Sequence, residues 1–416
     1  MAKTMLIAVG TGPTVAHGIC FSIRQQNPEN IVFLVTQESK EKTMPIITQN
    51  KILEGKKYSE IVLSDPNDVE RVVEELEEVV KSLKYKPEDI VIDYTSGTKA
   101  MSAGVTIAGI KSKIGSLVYV SGKRNNRGVV ISGNERLISL EPNRINADEL
   151  FERAVELFNN FQYDACIKII DEAKSLLVDK EFQRKLSTLM SLAEVYSCWD
   201  KFDLKRAFEK LDSLTGNEFL PVWGVKSQIE ENKSTLYLEK SNDYCKERLA
   251  DLIENAKRRG LEKKFDDAVA RLYRTIEYIA QYKVNKRGLY KSNEKGVPQP
   301  DNLDIDRLPP ALKSKYEQCR DSKNNKVKLS LYSTYELLRG LNEPIGTGFV
   351  EEMNRKGSKL KKLLEIRNNS ILAHGFKSVN ESEFDEMLNI TQKLGKSVIQ
   401  DLDYFIEKVN FPTIKL

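Results

Sequence analysis

Between residue 5 and about residue 141, short apolar runs rich in β-branched residues alternate with stretches of helical periodicity, and after Glu141-Pro142 the alternation stops. The runs are Met5 to Val9, Ile31 to Val35, Ile61 to Leu63, Ile90 to Ile92 and Leu117 to Val120; Val69 to Leu83 and Lys99 to Lys111 carry the helical period between them. Strands separated by helices pair in parallel, and right-handed crossovers wind the helices onto both faces of the sheet. The pattern predicts an α/β Rossmann-like domain over residues 1–142, finishing with a hairpin around Asn125 to Gly128 and a strand near Val129 to Ile131.

Strand signals almost vanish beyond that point, and the remainder reads as all-α. Phe161-Gln-Tyr-Asp-Ala, Phe202-Asp-Leu and Phe265-Asp-Asp-Ala each follow one amphipathic segment and open another, so residues 143–255 are expected to form helical hairpins of the tetratricopeptide kind, irregularly spaced. Residues 256–416 make a third, helical domain. In it a loop rich in Lys, Asn and Pro runs from about Val284 to Pro310, with one helix expected at Lys359 to His374 and another from Glu381 to Lys408.

A net charge of +4 on 416 residues gives no global positive field, so any nucleic-acid site must be local. Cys20, Cys166, Cys198, Cys245 and Cys319 are scattered, without a CxxC pair and with only two histidines to join them, which argues against a zinc site or a disulfide framework and fits a reducing compartment. The apolar run ending at Gly10 is too short for a signal segment or a membrane span, so a cytoplasmic protein without membrane contact is expected.

In a doubly wound sheet ligands bind at the carboxyl ends of the strands, where loops and helix N-termini offer free N–H groups. Two loops are suited to that. Gly10-Thr11-Gly12-Pro13-Thr14 follows the first strand but lacks the third glycine of a dinucleotide fingerprint. Asp93-Tyr-Thr95-Ser96-Gly97-Thr98-Lys99-Ala-Met101 follows the fourth strand. Gly97 permits close backbone approach, the hydroxyls are potential donors, and Lys99 in a first helical turn opposes the dipole unless an anion compensates. Taken alone, the loop reads first as a capped helix start with a solvated lysine. His17, beyond the first loop, reads as a packing or capping histidine.

The other histidine, His374, lies seven positions after Arg367 in Arg367-Asn368-Asn369-Ser370-Ile-Leu-Ala-His374-Gly375. On a helix the two leave nearly one face and continue the apolar stripe Leu360, Leu363, Leu364 and Ile371. Such a pair either lines a site or is satisfied at an interface by carboxylates or carbonyls. Gly375 is placed as a helix C′ residue, with His374 in the last turn. Arg355, Lys356, Lys359, Lys361 and Lys362 form a basic run, read either as an RNA guide or as a solvated helix face.

The Asp93 to Met101 loop resembles the DxTxGTKxM signature of CRISPR-associated Rossmann fold (CARF) domains, and Gly10 to Thr14 resembles their first ligand loop. Arg367 to His374 resembles the HEPN ribonuclease motif, an Arg followed after four to six residues by His, often with Asn beside the Arg as Asn368 is. The order of CARF domain, helical linker and HEPN domain resembles that of the ancillary ribonucleases of type III CRISPR systems.

That resemblance implies a homodimer whose paired CARF domains bind one cyclic oligoadenylate, tetra- or hexa-adenylate, as an allosteric activator. Gly10, Thr11, Gly12, Pro13, Thr14, Thr36, Gln37, Thr95, Ser96, Gly97, Thr98, Lys99 and Met101 would then line the pocket. It implies a composite HEPN site cutting single-stranded RNA without metal or other cofactor, with His374 as acid, base or positioning group, Arg367 stabilising the phosphorane, Asn368 orienting phosphate or histidine, and Asn369 and Ser370 in lesser roles. No stable complex with the CRISPR effector is implied. Slow ring cleavage by the CARF loop is a further activity the resemblance raises. The alternative is a non-catalytic nucleotide sensor that recruits a protein through its helices. A toxin-like RNA cutter with another trigger fits the Asp93 to Met101 loop poorly.

Overall fold

The computed structural model describes residues 4–123, 130–131, 133–176 and 178–416. Its N-terminal part runs β1 (Thr4–Val9), α1 (Pro13–Gln26), β2 (Asn30–Val35), α2 (Gln37–Lys42), α3 (Met44–Thr48), β3 (Lys57–Val62), α4 (Val69–Ser82), β4 (Ile90–Asp93), α5 (Lys99–Lys111), β5 (Ser116–Ser121) and β6 (Arg136–Leu140). The sheet order is β3-β2-β1-β4-β5-β6, parallel except for the antiparallel β5–β6 edge.

Alternation along the strands sorts the core into two layers. Leu6, Ala8, Val32, Leu34, Ile90 and Ile92 pack with Val72 and Leu76 of α4 and Val105 and Ala108 of α5. Met5, Ile7, Val9, Ile31, Phe33 and Val35 pack with Ile19 and Ile23 of α1 and Ile47 of α3. The five expected parallel strands form within a few residues of where the runs stand. The expected hairpin at Asn125 to Gly128, with Val129, lies outside the described residues. The edge strand β6 was not foreseen, because it is short and largely exposed, with Ile138 and Leu140 facing solvent, and so carries no buried-face pattern.

From Pro142 onward the chain is helical: α6 (Pro142–Asn159), α7 (Tyr163–Lys174), α8 (Lys180–Asp200), α9 (Leu204–Ser213), α10 (Phe219–Val222), α11 (Lys226–Ser241), α12 (Lys246–Leu261) and α13 (Phe265–Lys286). After the ribbon β7 (Tyr290–Ser292) and β8 (Pro298–Leu303) come α14 (Pro310–Glu317), α15 (Leu331–Gly340), α16 (Pro344–Asn354), α17 (Lys359–Asn368), α18 (Glu381–Lys396) and α19 (Leu402–Lys408). Phe161 and Phe202 take left-handed conformations, φ 62° and 60°, at two of the predicted hairpin turns, and Lys263 does so at φ 59° just before Phe265 at the third.

The chain divides into two compact units, residues 1–154 with 168–187 and residues 155–167 with 188–416. In the second, α12, α13 and α15 to α19 enclose one core that includes Leu249, Ile253, Leu272, Ile276, Tyr335, Phe349, Leu363, Met387 and Leu402. Within it Arg258 is buried between Asp200 at 2.9 Å and Asp251 at 3.3 Å, its guanidinium 3.7 Å from the Phe411 ring centre.

Three expectations for this region are corrected. Residues 284–310 are not all loop, since β7 and β8 pair there; Pro298 and Pro300 read as breakers, but a two-stranded ribbon has open edges where a missing N–H costs nothing. The final helix breaks at Ser397, whose hydroxyl donates to the Leu394 carbonyl, and resumes as α19. The helix expected to reach His374 stops at Asn368, because Ser370 turns its hydroxyl back onto the Arg367 carbonyl at 2.8 Å and competes with helical continuation.

Candidate functional site

β1 and β4 are neighbours from which the chain winds away in opposite directions, so the loops after them flank the switch point of the sheet. They lie against each other. A Cβ added to Gly10 would stand 2.7 Å from the Gly97 nitrogen, closer than any side chain tolerates, and Gly97 itself has φ 104°. Glycine is therefore demanded by backbone approach at position 10 and by the positive φ at position 97.

The hydroxyls are largely committed to building the loops. Ser96 donates to the Ala8 carbonyl at 2.6 Å and accepts from the Gly10 N–H at 3.2 Å, clamping one loop onto the other. Thr95 accepts from the Val120 N–H at 2.8 Å. Thr98 caps α5 through the Met101 N–H at 3.0 Å and donates to the Pro66 carbonyl. Met101 is fully buried, with its side chain under Gly97. Thr36 caps α2 through Ser39, and Gln37 is exposed and bonded to Glu41.

Thr11, Pro13, Thr14 and Lys99 are exposed. Among the described residues Lys99 has no carboxylate within ion-pair distance, so its charge at the N-terminus of α5 remains uncompensated. Beneath the loop, Asp93 accepts from the Thr95 N–H at 2.7 Å; burial raises its carboxyl above the ordinary aspartate value, opposed by the hydrogen bond from Thr95.

One contributor was missed by sequence reasoning. Thr43, fully buried, accepts from the Gly12 N–H and donates to the Gly10 carbonyl, both at 2.9 Å, and thereby holds the first loop closed. It stands 31 residues from Gly12, and no local pattern marks it. His17 is neither packed nor capping: its exposed ring is 2.6 Å from Glu135, and that hydrogen bond holds the Glu135 carboxyl below its usual range.

The second group lies at the end of α17. Leu360, Leu363 and Leu364 are buried as expected, whereas Ile371 is 58% exposed because it lies past the helix end. Arg367 is half-buried on the last turn. Its guanidinium carbon sits 4.3 Å from the Tyr273 ring centre, and its Nη1 donates to the Asn368 side-chain oxygen at 3.1 Å. Among the described residues no carboxylate pairs with it.

His374 is exposed on the turn that folds back along the helix end. The turn is fixed by backbone bonds from His374 N–H to the Asn368 carbonyl at 3.1 Å, Gly375 N–H to Ser370 at 3.2 Å and Lys377 N–H to Asn369 at 3.0 Å. Gly375 is not the C′ cap of the helix; its lack of a Cβ is needed because that atom would fall 2.1 Å from the Asn369 oxygen. The turn returns the His374 backbone to Asn368, the neighbour of Arg367, instead of carrying it along two further turns of one helix. Ser370 is buried and structural, and Asn369 is the exposed C-cap. In the basic run Arg355 pairs with Glu352 and Lys359 with Glu386, while Lys356, Lys361 and Lys362 are exposed and carry no ion pair among the described residues.

A fork of donors unpaired by any carboxylate can bind a phosphodiester, and an exposed imidazole on the turn that follows can move protons. Among the described residues no cluster of three or more His, Cys, Asp or Glu is placed to hold a metal, and no helix is long and apolar enough to cross a membrane.

Comparison with known proteins agrees with the two motifs. Residues 18–149 match the family model of the Card1 CARF domain, 147–240 that of the Csm6 6H domain, and 238–397 that of the Csm6 HEPN domain. No curated protein matches. Among solved structures, Enterococcus italicus Csm6 bound to cyclic hexa-2'-fluoro-hexa-dAMP aligns over 99% of this chain and 100% of that one, with a TM-score of 0.61 at 14% identity, a likeness of fold.

Proposed function

We propose that this chain, which carries a CARF, a 6H and a HEPN domain in that order, is an endoribonuclease of type III CRISPR defence switched on by a cyclic oligoadenylate. The boundaries at 142 and 255 belong to this reading. The observation that carries it is the Arg367 guanidinium, left without a carboxylate among the described residues, on a helix end to which a backbone bond from His374 to Asn368 returns the exposed histidine.

The reaction is intramolecular transesterification of RNA. The ribose 2′-oxygen attacks the adjacent phosphorus, a P–O bond forms as the P–O5′ bond breaks, and the products are a 2′,3′-cyclic phosphate and a 5′-hydroxyl. One proton leaves the 2′-OH and one reaches O5′; His374 handles one of these transfers. Arg367 offsets the negative charge that grows on the phosphorane oxygens, and Asn368 holds its fork in orientation. Neither role calls on a metal ion.

Two copies are required by this reading. Ile371, Leu372 and Phe376 are 58%, 52% and 93% exposed immediately around His374, an apolar patch that a second HEPN domain would cover. In the CARF domain the ring is held by loop N–H groups and Lys99, because the hydroxyls of Ser96 and Thr98 are committed to shaping the loops.

The test is cleavage of a fluorescent single-stranded RNA in EDTA with no ring, cyclic tetra-adenylate or cyclic hexa-adenylate. Wild type is expected to cut only with one ring, and His374→Ala not at all. Persistent cutting by His374→Ala overturns the site, and ring binding without any cutting by wild type makes the chain a sensor.

A further inference from the structure

Tyr273 lies on α13, ninety-four residues from Arg367 and outside both motifs, yet its ring carries the Arg367 guanidinium. α13 is anchored by Val269, Leu272 and Ile276, which are buried in the same core as Leu363, Leu364 and Ile366 of α17. The ring is thus presented from a rigid helix, whereas an unsupported arginine would sample many rotamers. Ring face and Asn368 oxygen constrain the fork in two directions. The Arg367 Nε is buried and has no hydrogen-bond acceptor; Nη2, with no acceptor among the described residues, is the free donor.

We propose that Tyr273 is a positioning residue for the cleavage reaction, its ring face holding the Arg367 guanidinium unpaired and oriented so that Nη2 meets the phosphorane. This deepens the ribonuclease reading and rests on it. A carboxylate in the same place would orient the guanidinium equally well but neutralise it against phosphate; an aromatic face orients it and leaves its charge available. The hydroxyl of Tyr273 has no part in this role.

The test compares Tyr273→Phe, Tyr273→Leu and the less disruptive Tyr273→Met in the full-length protein at saturating ring, with thermal melting to confirm folding. Loss of a cation–π contact of this kind should lower kcat about tenfold in the Leu and Met variants, with KM within about twofold, and Phe should retain the rate within about threefold. In an Arg367→Ala background, assayed with excess enzyme, Tyr273→Met should change the residual rate less than about twofold, as expected if Tyr273 acts only through Arg367. Tyr273→Met matching wild type, Phe falling as far as Met, or an undiminished loss in the Arg367→Ala background each overturns the proposal. A readout independent of cleavage separates it from the parent reading. The Arg367 Nε–H resonance, assigned by its disappearance in Arg367→Lys, should be ring-current-shifted in wild type and should move in Tyr273→Met; an unmoved resonance refutes the stacking even if the protein cuts RNA.

Discussion

Gly375→Ala isolates the geometry of the turn that presents His374. The backbone at 375 is not left-handed, so alanine suits its dihedral angles and the whole effect is steric. The new methyl would lie 2.1 Å from the Asn369 oxygen and 2.6 Å from its carbonyl carbon, atoms of backbone that cannot rotate away. Restoring ordinary contact at 3.4 Å requires a displacement of about 1.3 Å, the difference between those distances. That breaks or weakens three turn-closing bonds, from the N–H groups of His374, Gly375 and Lys377. At about 0.5 to 1.5 kcal/mol each, and with water replacing them in an exposed segment, the stability loss should be about 1 to 3 kcal/mol. The catalytic loss should be of comparable size, since a misplacement of about 1 Å costs about a hundredfold. Ring-saturated cleavage of single-stranded RNA should therefore fall at least about thirtyfold in kcat, while calorimetric ring affinity stays unchanged. Gly348→Ala, where a Cβ meets nothing within 4 Å, is the control and should cut normally. If Gly375→Ala keeps kcat within about threefold of wild type, the turn does not position His374 and the argument fails.

Gly10→Ala, whose Cβ would stand 2.7 Å from the Gly97 nitrogen, should force the two CARF loops apart and weaken ring binding at least about tenfold; an unchanged Kd refutes the apposed-loop site. Phe376→Glu should dissociate the proposed dimer in sedimentation and depress ring-activated cleavage, whereas a dimer of wild-type affinity would move the interface elsewhere. Arg258→Ala leaves Asp200 and Asp251 buried without it and should cost about 3 to 5 kcal/mol in denaturant unfolding; a loss under about 1 kcal/mol would deny that the network stabilises the fold. Asp93→Asn keeps an acceptor for the Thr95 N–H but removes the buried ionisation. The folded-state pKa of Asp93 is raised, so the native protein binds more protons than the unfolded chain, and stability falls as pH climbs from the unfolded value near about 4 through the folded one. The melting temperature of Asp93→Asn relative to wild type should rise with pH across that window, and a pH-independent gap refutes the assignment.

The Rossmann-like half was legible because a doubly covered parallel sheet leaves a strong trace. β1, β2 and β4 are buried on both faces and read as continuous apolar runs, and α4 stands between strands with a clear period, whereas α5 is apolar nearly all round. β6 and the β7–β8 ribbon left no such trace, being exposed, polar or proline-bearing elements whose formation depends on the partner strand. Periodicity also ran past α17, since Ile371 continues a helical stripe in sequence that the Ser370 hydroxyl interrupts in space.

The residues of the two candidate sites divide along the same line. Arg367, Asn368, His374 and the glycines of the two loops sit in contiguous motifs, and adjacency in sequence exposed them. Thr43 and Tyr273 reach their places only through packing, one beneath the first loop and one beneath the guanidinium, and nothing near them in sequence announces it. Their chemistry explains why. Thr43 is needed as a small donor-acceptor bridging an N–H and a carbonyl of one loop, and Tyr273 as a flat apolar face, requirements met by residue types common in any core. A group that contacts substrate must be chemically unusual for its position, a cation unpaired or a glycine without an alternative, and so stands out in a single sequence. The groups that orient it need only be in the right place, so their identification depends on three-dimensional contacts.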